Sequence, residues 1–382
     1  MKNWKHCIFV GILVNFVIMF SFIGCDKGDK DDNGNGENWV FTPGPVNPII
    51  TDRFTADPAV FVDGNTVYIV CGEDKLPPNA PSNEYYRIPH WVMYSTRDMS
   101  NFEYEGILLK SDDFSYGTAN SAWAAQMIKG LDGRYYLYVT VKNKQGVQVV
   151  GVAVADEPTG PYTPNNTPVV TPTMVSQDTK YNRDDNIDPT VFIDDDGTAY
   201  LSWGQMQPRI AKLKPNMTEI ERPIKMLFQD GWTQTKREGD YVIRFEEGPY
   251  LYKKDGHYYM FYASMRRQPD NSSSIGETLS YAMAESIDGP WTDGVEISDC
   301  APGINGEGNS FTVHPAVFEF KGISYMLYHN KALILNVNGE EWRGDTGRRS
   351  LAIDYLYFDK DGKPQFINIR QLTGISVPPL DP

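Results

Sequence analysis

The chain has 382 residues, a formal net charge of −15 and an aromatic content of 13%, with 23 Tyr and 8 Trp. Acidity on this scale excludes a nucleic-acid partner, whose phosphates require a basic face. Hydrophobic content of 41% is ample for a packed core, and the absence of Cys/His metal spacing, a P-loop or a Rossmann glycine pattern leaves no metal-finger or nucleotide-binding signature.

Residues 1–24 read as a lipoprotein signal peptide: Lys2 and Lys5 precede an apolar run, Cys7–Ile23, as in a secretory signal. The run ends Phe22-Ile23-Gly24-Cys25. This resembles a bacterial lipobox, with Cys25 as the lipidated first residue of the mature chain. Residues 25–44 follow as a flexible tether, acidic and Gly-rich over Asp26–Glu37, with too little apolar surface to fold. The acid-rich start resembles surface-export signals of Bacteroidetes lipoproteins. The expected location is therefore the cell envelope, anchored to the outer membrane by lipid alone. Cys71 and Cys300 are expected as buried free thiols.

Residues 45–382 are expected to form one all-β domain. Its pattern is clearest in Ile187–Gly204, IDPTVFIDDDGTAYLSWG. Here an acid precedes Pro, an apolar strand follows, a Gly-containing turn reverses the chain and a second strand returns. Pro189 is expected to hold Asp188 extended. The unit recurs with first residues Asp57, Trp123, Asp188, Glu247 and His314, at steps of 66 (57 to 123), 65 (123 to 188), 59 (188 to 247) and 67 (247 to 314). A third and a fourth strand are predicted in each copy, the fourth being 105–109, 168–171, 224–227, 294–297 and 365–370. Repeats of this size made only of strands predict a five-bladed β-propeller. No C-terminal β-sandwich is expected after the fifth blade, and the protein is expected to act as a monomer.

In a propeller the first strand of each blade lines the central channel, so the five unit starts converge at one end of the axis. Three carboxylates there, Asp57, Asp188 and Glu247, repel one another, and at least one must hold its proton at neutral pH. A glycosidase needs such a set: a carboxylate to activate water and a carboxylic acid to protonate the departing oxygen. Asp-Pro alone is an ordinary turn opener, and the weight lies in the shared position within the repeats. Glu246 competes with Glu247 for the acid's role, but neighbouring strand residues point to opposite sides. Trp123, and more weakly Trp91, Trp203 and Phe245, are candidate sugar-binding walls.

Together the segments ADPAVFVDG, SAWAAQMI, NIDPTVFIDDDGTAYLSWG, FEEGPYLYKKDGHYYMFYA, SFTVHPAVFEFKGISYMLYHN and RRSLAIDYLYF resemble glycoside hydrolase family 43. The resemblance implies an inverting hydrolase. Asp57 would be the general base, Glu247 the general acid and Asp188 the group that tunes the acid and orients the sugar. It also implies that His314 is an axial ligand of a central calcium held mostly by water, and that Arg349 reaches the pocket. One departure is Trp123-Ala124-Ala125-Gln126, where the family commonly has Ala-Pro-acid after the Trp. This resembles arabinofuranosidase- and xylosidase-like members. The signatures of fructan-cleaving relatives are absent. The expected enzyme is an exo-acting α-L-arabinofuranosidase on neutral plant-wall glycans. β-D-Xylosidase is the nearest alternative, and a non-catalytic glycan-binding propeller is the alternative from another class.

Overall fold

β-Branched and aromatic residues separated by Gly-containing turns make each repeat an antiparallel meander. The computed structural model describes residues 47–75, 86–178, 186–228, 241–268, 274–300, 312–333 and 347–369, all within the compact unit Thr42–Pro382. The predicted signal peptide (1–24) and tether (25–44), Cys25 included, lie outside them. Blade one is β1 (Thr55–Asp63), β2 (Thr66–Glu73), β3 (His90–Thr96) and β4 (Glu103–Lys110). Blade two is β5 (Ala125–Lys129), β6 (Tyr135–Lys142), β7 (Gln148–Ala155) and β8 (Thr163–Pro164). Blade three is β9 (Thr190–Ile193), β10 (Ala199–Trp203), β11 (Arg209–Lys212) and β12 (Lys225–Met226). Blade four is β13 (Val242–Lys254), β14 (His257–Arg267), β15 (Ser274–Ala284) and β16 (Val295–Glu296). Blade five is β17 (Ala316–Phe320), β18 (Ile323–Asn330) and β19 (Ser350–Tyr355). Strands pair in chain order within each sheet. The first strands touch in a closed ring, β1 to β5, β9, β13, β17 and back to β1, which makes the architecture the five-bladed propeller expected.

The apolar clusters lie between neighbouring blades, each drawing side chains from two or more of them. The middle strands are consequently buried on both faces, as in β3 and β6. Cys71 and Cys300 are buried free thiols.

Three local expectations are corrected. In blade two the fourth strand is Thr163–Pro164, and Val170 of the predicted segment makes only an isolated bridge to Val150. In blade five the segment predicted as its fourth strand does not join that sheet; Ile367 bridges to Ser298 instead. A short helix, α1 (Pro172–Asp178), also appears, too brief to leave a periodic signal.

The open edge of blade five is taken by the chain preceding β1. The Ile49 amide donates to Leu351 O (3.0 Å) and the Thr55 amide to Arg349 O (2.9 Å). The Asn47 side chain donates through Nδ2 to Ile353 O (2.8 Å) and accepts through Oδ1 from Ile353 N (2.7 Å). One buried side chain thus replaces two rungs of a ladder and closes the ring between its first and last blades. Asn47→Ala leaves a buried N–H and C=O of Ile353 without these partners, and each such loss costs about 1–3 kcal/mol. We expect a fall in urea-denaturation stability of at least about 2 kcal/mol on that basis. A value within error of wild type would deny this segment its closing role.

Candidate active site

Asp57, Asp188 and Gly248 each precede a proline, and all three take left-handed φ angles of 54°, 57° and 61°. The expectation that Pro189 holds Asp188 extended is therefore corrected. Asp tolerates this region, and here the turned backbone finds partners: the Asp188 amide donates to Thr140 Oγ1 (2.8 Å) and the Asp57 amide to His329 Nδ1 (3.1 Å). The Gly248 amide donates to Asp188 Oδ2 (3.1 Å). A Cβ at 248 would stand 3.2 Å from the His314 ring, tighter than ordinary contact, so Gly lets the two pack closely. Pairing registers also shift around these residues, between Ala56 and Ala59 in β1 and on both sides of Glu247 in β13. Such bulges re-aim side chains at sites. Simple alternation therefore does not decide between the two glutamates. Both are buried, but Glu246 pairs with Arg267 (3.3 Å), whereas Glu247 joins the acids at the axis.

His314 stands at the centre. Its Nε2 lies 3.4 Å from Asp188 Oδ2 and 3.5 Å from Glu247 Oε1, and its Nδ1 lies 3.9 Å from Asp57 Oδ1. Arg349 donates through Nη1 to Asp57 Oδ1 (2.8 Å) and holds Asp74 through Nε and Nη2, both at 3.0 Å. Its guanidinium also stacks on Tyr86, 5.0 Å from the ring centre, and Tyr86 meets Trp123 edge-on at 6.5 Å.

The acids differ in proton affinity. Burial pushes the Asp188 carboxyl up to about 6 against the pull of His314, and Glu247 and Asp57 push it the same way. Burial would raise Asp57 too, but Arg349, then His314 and His329, outweigh it and hold this carboxyl low. His314 and His329 stack, 5.7 Å apart and 19° from parallel, yet take opposite charge states. Burial disfavours the His314 cation, but Asp188 and Asp57 overcome this and raise its pKa far above the ordinary value. Burial and Arg349 keep His329 neutral. Its Nδ1 accepts from Asp57, so the proton sits on Nε2 and faces Thr312 Oγ1 at 2.9 Å.

Beside His314 the channel encloses a cavity of about 20 Å³, lined by Gln126, Tyr250 and the prolines of the unit starts. That is room for roughly one water-sized species. One nitrogen and two carboxylate oxygens, from His314, Asp188 and Glu247, lie within 4.8 Å of one another. The 3.4 Å separation between His314 Nε2 and Asp188 Oδ2 suits adjacent ligands of a cation with bonds of about 2.4 Å. The residues therefore fit a calcium ion.

Of the aromatic candidates, Trp123 is half-buried beside Tyr86. Trp91 and Trp203, both 0% exposed, and Phe245, 3% exposed, are corrected: all three are blade-core residues. The two indole N–H groups are used internally, on Trp123 O (2.6 Å) and Asn186 Oδ1 (3.1 Å). Sequence reasoning missed Asp74, Tyr86, Gln205, His329 and Glu277, a buried carboxyl that accepts from the Val313 amide (2.8 Å). The available signal was hairpin geometry. An antiparallel hairpin sets the last residues of its second strand beside the first residues of its first, as Thr55 faces Glu73 and Phe245 faces Ser264. Aligning the ends of the returning strands would have exposed Asp74, Gln205 and His329.

Carboxyl groups of unlike proton affinity, sunk at one end of a ring of strands, define a glycoside hydrolase. The chain belongs to glycosyl hydrolases family 43, whose profile matches residues 45–364. It is 27% identical over 358 residues to xylosidase/arabinosidase 43A of Humicola insolens, covering 83% of this chain and 97% of that protein. It is also 27% identical over 352 residues to a xylosidase/arabinosidase of Bacteroides ovatus, covering 82% and 95%. Among solved structures it resembles a β-xylosidase/α-arabinofuranosidase from a compost microbial metagenome, bound to xylotriose in a calcium-free form (TM-score 0.67, 24% identity, 85% and 97% covered). An α-L-arabinofuranosidase from Clostridium thermocellum is similar too (TM-score 0.62, 25% identity, 87% and 97% covered).

Asp74→Asn keeps the shape but removes the charge that fixes Arg349. The buried guanidinium then retains only Asp57 as an ionic partner among the described residues. Loss of one member of a buried pair costs on the order of 3–5 kcal/mol. We expect thermal denaturation to show a loss of that size, with a fall in kcat/KM as Arg349 and Asp57 shift. A variant with wild-type stability and kinetics would show that Asp74 does not support the site.

Proposed function

We propose that the protein is an inverting, exo-acting glycosidase that removes α-L-arabinofuranosyl units from plant cell-wall glycans or oligosaccharides. The observation that carries the reading is the meeting of Asp57, Asp188 and Glu247 around His314, in a chain whose relatives are described as xylosidase/arabinosidase. That double description favours β-D-xylosides as a second substrate class. Hydrolysis of aryl α-L-arabinofuranoside, aryl β-D-xyloside and arabinoxylan oligosaccharides by the purified protein tests the choice.

Asp57, kept ionised by Arg349, takes a proton from water as the water oxygen bonds to the anomeric carbon. The glycosidic C–O bond breaks on the opposite face, and Glu247 gives its proton to the departing oxygen. The His314 ring stands between these two carboxyls, touching Asp57 through Nδ1 and Glu247 through Nε2. An inverting enzyme needs these two carboxyls roughly 6.5–9.5 Å apart, with room for the attacking water. Asp188 orients the sugar and, bonded to Gly248 N, ties the strand carrying Glu247. Trp123 and Tyr86 offer apolar ring surface to the sugar. His314 would hold a calcium ion beside the channel cavity, and the ion's charge would favour the ionised forms of Asp57 and Asp188. We further place the protein in the cell envelope, anchored through Cys25, a reading that rests on the lipobox-like stretch Phe22–Cys25. Cys25→Ser should release it from membranes and abolish fatty-acid labelling.

A sugar alkoxide must be protonated as it leaves, whereas a dinitrophenolate needs no help. Glu247→Ala should therefore lose on the order of 10²–10⁴-fold in kcat on oligosaccharides and far less on a dinitrophenyl glycoside. Asp57→Ala should be nearly inactive on both. Equal losses for Glu247→Ala on the two substrates would remove it from the acid's role.

Chelation tests the cation. Stripping divalent ions should lower both melting temperature and activity, with recovery on adding calcium. Indifference of both quantities would exclude a functional metal.

A further inference from the structure

The turn that leaves β10 for β11 opens with Gly204–Met206, a stretch that the reaction as described leaves unused. It is tightly built. Gly204 has φ +123, and a Cβ there would stand 2.5 Å from Gln207 O. Met206 has φ +57, a left-handed angle rarely adopted by a residue of its kind. The loop is tied at both ends: the Gly204 amide donates to Ile187 O (2.8 Å), next to Asp188, and the Met206 amide donates to Glu246 O (2.6 Å), next to Glu247. Between these anchors Gln205 donates through Nε2 to Glu247 Oε2 at 3.0 Å. A non-glycine residue held left-handed at a site signals a geometry that the surroundings impose. Here that geometry aims one amide N–H at one carboxyl oxygen.

We infer that Gln205 is a positioning residue for the general acid, and that its hydrogen bond strengthens as the acid gives up its proton. The inference rests on the reading of Glu247 as that acid. While Glu247 is protonated, the bond joins two neutral groups. As the proton moves to the departing oxygen, negative charge grows on the carboxyl, and a donor to an ionised acceptor is about twice as strong as a neutral one. The interaction therefore favours the transition state over the bound substrate, and its loss falls on kcat rather than KM. It matters in proportion to how far proton transfer has advanced, hence most for poor leaving groups. Gln205 also separates the two adjacent glutamates. Glu246 pairs with Arg267 and its carbonyl accepts from the Met206 amide, whereas Glu247 receives the Gln205 side-chain donor.

The test uses the full-length protein with Gln205→Leu, which keeps the volume, and Gln205→Glu, which keeps reach and polarity but has no N–H to donate. Glu247→Ala serves as reference. Steady-state kinetics on a dinitrophenyl glycoside and on an oligosaccharide are read together with melting temperatures. Both Gln205 variants should lose roughly 10- to 100-fold in kcat on the oligosaccharide, the scale of a misplaced catalytic group. The loss on the dinitrophenyl substrate should stay below about 3-fold, with KM little changed, because proton transfer is not needed there. Equal losses on both substrates mark a general structural effect and overturn the assignment, as does wild-type activity in either variant. If Glu247→Ala shows the leaving-group split and the Gln205 variants do not, only Gln205 loses its role. If Glu247→Ala shows no split, the assignment of the acid and the role of Gln205 fall together.

Discussion

The structure depends on how positive charge is supplied to a buried ring of acids. Asp57, Asp188 and Glu247 sit at the axis with almost no water around them, where an uncompensated carboxylate is costly. Two cationic groups answer this, from different directions. Arg349 engages Asp57 from the rim side of blade five, itself fixed by Asp74. His314 faces all three acids from the centre. Asp57, with Arg349 beside it, is held low, while burial pushes up Asp188, which has only a share of His314. Unequal sharing of positive charge thus separates the two aspartates in proton affinity. The axial position thus calls for positive charge at His314.

The propeller is suited to meeting that demand without moving parts. The three acids come from three different blades and both cationic groups from the fifth, and every blade is wedged between two others by apolar side chains. The cross-blade hydrogen bonds, such as Thr140 to Asp188 and Asp188 to Gly248, then fix side chains already close to place. Preorganisation of this kind costs nothing at the moment of reaction.

Much of this was legible in the amino-acid sequence, because repeats advertise themselves. The spacing of Asp57, Asp188, Glu247 and His314 revealed the blade count and the convergence of the acids. Other features were hidden for physical reasons. Trp91 and Trp203 look like sugar platforms in a string of letters, but a blade packed on both faces consumes large aromatics as core. The left-handed turns at Asp57 and Asp188 contradict the extended bias that a following proline suggests, since hydrogen bonds from neighbouring blades override a local preference. Register shifts around Glu247 undo the period-two rule where it was most needed. The sealing of blade five by Asn47 and Ile49 depends on two ends of the chain meeting, which no local window contains.

That seal has a consequence for the order in which the enzyme comes into being. Asp57 belongs to the first hairpin made, but Arg349, the partner that gives it a low proton affinity, lies 292 residues later. The Thr55 amide, two residues before Asp57, bonds the carbonyl of the same Arg349. In a chain emerging from the ribosome, Asp57 therefore meets the charge that lowers its proton affinity only when the last blade closes the ring.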